Sequence, residues 1–112
     1  MKQPRTIHDF GGFPPELYAA HYTALGSPWL AHEVKMMVCL VEVGLDTNWG
    51  LDHGCWSVLK TMYSGADIPV AQLSLDYTQQ GMVHFNLAKE LAPLRDQGVL
   101  ILGSGNMVHN LR

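Results

Sequence analysis

The 112-residue chain reads as a single α/β domain, and three features of the sequence predict it. Two short apolar runs rich in branched residues, Ile68 to Leu75 (IPVAQLSL) and Val99 to Leu102 (VLIL), have the composition of buried strands. Between them, Gln79 to Gln97 carries Val83, Leu87, Leu91 and Leu94 on one helical stripe. A strand, a helical crossover and a second strand make a βαβ unit over 68–102, whose strands should be parallel neighbours joined right-handedly. Finally, 47% apolar and 15% charged residues, at a mean hydropathy of +0.03, are enough for one core and exclude a disordered tail.

Taken in chain order, Thr6 to Pro15 mixes aromatics with Gly11, Gly12, Pro14 and Pro15. That mixture disfavours helix and predicts an extended stretch running into a turn, with few backbone partners of its own. Pro15 can open a short helical turn ending near His21, because a missing N–H costs nothing at a helix start. Ser27 before Pro28 is a stronger start, a hydroxyl N-cap with proline in the first position; Leu30, Val34, Met37, Val38 and Val41 then recur at helical spacing up to a stop at Gly44. Asp46 to Gly54 (DTNWGLDHG) is rich in turn formers and reads as a loop, from which Asp52 caps a helix carrying Trp56, Leu59, Lys60 and Tyr63. In the crossover helix, Pro93 marks a kink and Gly98 the end.

Charge and cysteine usage narrow the class. A net charge of −3 with no basic cluster argues against phosphate-driven nucleic-acid binding. Val34 to Val43 is interrupted by Lys35 and Glu42 and is far shorter than the roughly 20 residues of a membrane span. The N-terminal residues lack the apolar stretch of a secretory signal, which points to the cytoplasm. Cys39 and Cys55 fit neither a zinc knuckle nor a redox pair, and read as reduced, packed thiols.

The chemistry-bearing candidates are histidines in loops. Gly103 to Asn110 (GSGNMVHN) sets glycines and polar groups at the carboxyl end of the last strand, where open α/β sheets bind ligands, with His109 projecting nearby. Ser104 lacks the flanking glycines of a nucleophile elbow, and Val108 stands where a dinucleotide fingerprint needs its third glycine. The plainer alternative is a glycine-rich turn with an exposed histidine. His53, between Asp52 and Gly54, opens a predicted helix whose dipole disfavours imidazolium; a neutral ring there can take a proton or donate a hydrogen bond. Its plainer reading is a histidine hydrogen-bonded in a loop. His8 lies in the aromatic opening segment, as a pocket wall or as a surface residue, and His84 packs beside an apolar stripe. No two histidines have the spacing of a helical metal site.

Four blocks, TIHDFGGFPPELY (6–18), GLDHGCW (50–56), ADIPVAQLSLD (66–76) and GSGNMVHNLR (103–112), in this order, resemble the class III extradiol ring-cleavage dioxygenases of the DODA type. The resemblance covers essentially the whole chain. It implies an α/β fold around a mixed sheet with flanking helices, a partial domain like the catalytic subunit of these enzymes. It also implies a mononuclear non-haem metal, Fe(II) or Zn(II), and cleavage of a catechol by O2 beside its two hydroxyls. By the same resemblance, His109 is catalytic and stands next to the metal or ligates it. His53 is catalytic and substrate-binding, and His8 belongs to the substrate pocket wall. The partners implied are a small catecholic substrate and O2, with neither nucleic acid nor membrane.

The family's pattern continues beyond these blocks. Two metal-binding histidines precede the HDFGG block and a further ligand follows the HNLR segment, and none of the three is matched in this sequence. Residues 1–112 are therefore expected to form one partial catalytic domain, inactive alone and weak for metal, because such sites need several convergent ligands. A sheet short of strands would expose an edge through which copies of the chain could self-associate. The alternative is a non-enzymatic remnant or subunit that binds a small aromatic ligand or a partner chain.

Overall fold

The computed structural model describes residues 3–9 and 19–105. Local sequence sets three helices and one 3-10 segment in these parts. Helix α1 (Pro28–Met37) starts as expected, with the Ser27 hydroxyl accepting from the Leu30 N–H at 3.3 Å and Pro28 in the first turn. Helix α2 (His53–Met62) is capped by Asp52, whose carboxylate accepts from the Cys55 N–H at 3.1 Å. Helix α3 (Gly81–Glu90) runs into a 3-10 helix (Ala92–Gln97) holding Pro93 in its first turn. Gly98 ends that segment at φ +75°, a left-handed conformation that glycine adopts without a Cβ penalty. The expected kink at Pro93 is thus a change of helix type, since proline removes an i to i−4 bond that the tighter helix does not need.

Helix α1 ends at Met37, well before the stop expected at Gly44. Val38 is already extended, and the Cys39 N–H donates to the Glu90 carboxylate of α3 at 2.9 Å instead of to a helical carbonyl. Val38 then reaches the core made with Leu91 and Leu94, so tertiary packing outweighs continued helix. Of the two thiols, Cys55 is half-buried but Cys39 is exposed, so only the former is packed as expected; both are free.

Among the described residues there is no strand and no sheet, which overturns the mixed sheet and the βαβ unit expected over 68–102. A strand exists only through its ladder, and the extended segments make just two isolated parallel bridges, Thr6 with Leu51 and Gly26 with Val70. Within 68–75, the Val70 N–H donates to the Leu25 carbonyl at 2.8 Å, whereas neighbouring Pro69 has no N–H, and Ile68, Leu73 and Leu75 are exposed. Within 99–102, the Val99 N–H closes the 3-10 turn onto the Leu94 carbonyl at 3.3 Å, and Leu100, Ile101 and Leu102 are exposed. Branched composition gives a segment strand propensity, but without a neighbour in register it makes no strand. Likewise, the sheet edge on which self-association was expected does not form among these residues.

The core is split in two. One cluster joins Tyr22, Ala24, Leu51 and Trp56, with Ala20, Cys55, Leu59, Ala66 and Val70 packed around it. The other joins Val38, Leu91 and Leu94 to the apolar stripes of α1 and α3, including Leu30, Val34, Met37 and Leu87. Most of the residues of the two stripes read from the sequence therefore do face the interior, Val83 excepted. The first cluster positions the candidate site, because it fixes the start of α2 against the extended segment 5–9. The expected helical turn from Pro15 lies largely outside the described residues.

Candidate functional site

Segment 5–9 is strapped to the rest of the molecule at every residue. The Leu51 N–H donates to the Arg5 carbonyl and the Ile7 N–H to the Leu51 carbonyl, both at 2.7 Å, which is the first parallel bridge. The Thr6 hydroxyl accepts from the Tyr22 N–H at 2.9 Å. The Trp56 indole N–H donates to the Ile7 carbonyl at 2.7 Å, and His8 Nε2 donates to the Ala20 carbonyl at 2.7 Å. Gly50 allows this approach: a Cβ there would overlap the Arg5 carbonyl oxygen and lie 2.8 Å from its carbon. The requirement is for space rather than for a left-handed backbone. The expectation of few backbone partners here is thus corrected, although the segment is extended as read.

Asp9, on this strap, lies opposite the first residue of α2. One oxygen of the Asp9 carboxylate accepts from both the His53 backbone N–H, at 2.9 Å, and His53 Nδ1, at 2.7 Å. Partial burial pushes the Asp9 carboxyl up, but the hydrogen bonds from the His53 backbone and ring outweigh it and hold the group below the usual carboxylate range. An ionised carboxylate only accepts hydrogen bonds, so Nδ1 carries the proton of a neutral His53 ring and Nε2 its lone pair. Asp52 and Asp9 divide the helix start between them: the former satisfies the Cys55 N–H and the latter the His53 N–H.

The other aromatic rings gather beside this pair. The His8 ring lies 5.7 Å from the Trp56 ring and 5.9 Å from that of His21, edge-on to the latter. Trp56 is buried in the first core cluster, on the helix that His53 opens. Two of the three histidines singled out in the sequence, His8 and His53, therefore sit on one structural unit, the strap and the start of α2. His109 lies outside the described residues. His84 is half-buried on α3, with Nε2 donating to the Asp76 carbonyl at 3.0 Å. Sequence reasoning missed Asp9 and His21. Asp9 adjoins His8 in the HDFGG block, but nothing in spacing alone joins it to a histidine forty-four residues on.

Among the described residues, no group of three or more His, Cys, Asp or Glu side chains is placed to hold a metal ion. The arrangement they do form is a carboxylate paired with an imidazole, Asp9 with His53.

Comparison with known proteins gives this arrangement its class. The family described as the catalytic LigB subunit of aromatic ring-opening dioxygenase matches residues 2–112 of the chain. The chain belongs to this family. Over its whole length it is 51% identical to a protein of Escherichia coli (strain K12) named 4,5-DOPA dioxygenase extradiol. Proteins of the same name from Beta vulgaris and Mirabilis jalapa are 48% and 45% identical, each over 93% of the chain. The chain spans only about 40% of the length of these relatives (42%, 40% and 40%).

Proposed function

We propose that residues 1–112 form the central part of the catalytic domain of an extradiol aromatic ring-opening dioxygenase, which cleaves a catechol with O2. The observation that carries this reading is the Asp9–His53 contact at the start of α2, made between two of the blocks that resemble the family, within the stretch 2–112 that matches it. A catechol substrate must lose a hydroxyl proton to be activated, and a neutral imidazole is suited to accept one at neutral pH. His53 takes that proton at Nε2, and His8 forms part of the wall of the substrate pocket. His109 is assigned the neighbouring position at the metal, as acid–base group or ligand, by its place in the family's motif. Trp56 and the strap hold the start of α2 in place while this happens.

A mononuclear Fe(II) or Zn(II) would supply the binding of catechol and O2 together. The described residues do not by themselves provide a set of ligands for either ion. No helix among the described residues is long and apolar enough to cross a membrane, and the free thiols Cys39 and Cys55 fit a reducing cytoplasm.

The test is a chimera in which this chain replaces the matching segment of the Escherichia coli relative, loaded with Fe(II) and assayed with DOPA and simple catechols in air. The expected result is a yellow ring-opened product and uptake of O2. A folded chimera that takes up metal but yields no product would refute the proposal. Binding of catechol without cleavage would direct attention to the alternative, a non-enzymatic module for a small aromatic ligand.

A further inference from the structure

The strap brings the Asp9 carboxylate to His53, and its geometry is specific. A single oxygen spans the backbone N–H and the ring Nδ1 of the same residue, at 2.9 and 2.7 Å. A carboxylate placed merely to cap the helix would need only the first of these contacts. Asp52 already caps the helix in the ordinary way, through the Cys55 N–H at 3.1 Å. The second contact constrains the ring: it restricts both imidazole torsions and selects the neutral form with hydrogen on Nδ1.

The support behind Asp9 is unusually complete for a loop. Arg5, Thr6, Ile7 and His8, the four residues before it, are all hydrogen-bonded to other parts of the molecule, at Leu51, Tyr22, Trp56 and Ala20. Gly50 gives the strap its close approach, with the Arg5 carbonyl carbon within 2.8 Å of where a Cβ would stand. A carboxylate carried on a segment anchored at each of the four preceding residues is what orientation of a reacting imidazole requires.

We propose that Asp9 is the positioning residue of His53, fixing the ring so that Nε2 is the proton acceptor toward a substrate hydroxyl. This rests on the dioxygenase reading only for the identity of that hydroxyl. In the step itself the catechol O–H bond breaks, its electron pair stays on oxygen, and a new N–H bond forms at Nε2. The ring then carries a proton on each nitrogen, and the Asp9 carboxylate balances its positive charge.

Imidazole nitrogen resonances of the full 112-residue chain, labelled with nitrogen-15 at histidine, test this directly at a pH where the ring is neutral. The wild-type chain should show a protonated-type Nδ1 and an unprotonated-type Nε2 at His53. In Asp9→Ala the ratio of the two tautomers should fall by about tenfold, the effect of one charge-assisted hydrogen bond. Asp9→Glu, which keeps the carboxylate, should recover most of it. A purely structural strap would lower the stability of Asp9→Ala and leave the tautomer ratio unchanged, and that outcome overturns the proposal. If Asp9→Ala does not fold, the wild-type spectrum decides alone, since a major Nε2–H form is incompatible with the proposal. Because no turnover is measured, an inactive chimera would sink the dioxygenase reading while leaving this result to stand or fall separately.

Discussion

Gly50→Ala should detach the strap that carries Asp9. The added methyl would collide with the backbone of Arg5, overlapping its carbonyl oxygen and lying 2.8 Å from the carbon and 2.9 Å from Cβ. Backbone cannot swing aside as the end of a flexible side chain would, so the bridge between Thr6 and Leu51 must open. Two hydrogen bonds of 2.7 Å go with it, from Leu51 to Arg5 and from Ile7 to Leu51. Each contributes about 1 kcal/mol net, and the buried Leu51 N–H, left without an acceptor, adds a desolvation penalty of similar size. The expected loss is therefore about 2–3 kcal/mol. With a denaturant dependence of about 1–3 kcal/mol per molar urea, the midpoint should fall by roughly 1–2 M, read from tryptophan fluorescence. Gly81→Ala is the control: a Cβ there meets nothing within 4 Å, and the midpoint should hold or rise. A Gly50→Ala protein within about 0.5 kcal/mol of wild type would refute the close-approach argument.

Three further outcomes follow from the same geometry. Asp52→Ala removes the cap on Cys55 and the side-chain contact to which the Gln72 amide donates at 2.8 Å, and should cost about 1–2 kcal/mol in urea unfolding; Asp52→Asn, which still caps, should lose less. Because Asp9 is held below its ordinary value of 3.8 in the folded chain, its contribution to stability is complete above that value and fades as pH falls through the lowered one. Stability curves of wild type and Asp9→Asn should therefore converge at acid pH, and parallel curves would count against the pairing. Burial, then the Asp52 charge, pushes the Cys55 thiol up to about 11, so a thiol reagent at mildly alkaline pH should modify exposed Cys39 first, and equal rates would contradict the packing.

Two helix starts and one stop were legible because they depend on neighbours in sequence: Ser27 and Pro28, Asp52 and its third residue on, and Gly98. The apolar stripes were legible too, and Leu30, Val34, Leu87, Leu91 and Leu94 all face the second core. Strands were not, since a ladder depends on a partner that composition does not contain. Residues 68–75 and 99–102 have the branched residues of strands, yet the first makes one bridge and the second none among the described residues. The end of α1 failed for a related reason, because Glu90 captures the Cys39 N–H from a distant helix. At the site, His8 and His53 could be chosen by their motifs. Their connection through Asp9, Trp56 and the strap is a matter of long-range contacts, which only the folded chain reveals.

His53 is proposed to move a proton of the substrate. In the chimera with the bacterial relative, kcat and KM for catechol cleavage should be compared between the parent and His53→Gln. Loss of a positioned acid–base group predicts a fall in kcat of about 100- to 10,000-fold, with metal content and fold unchanged. A His53→Gln chimera that turns over at the parental rate would contradict the account.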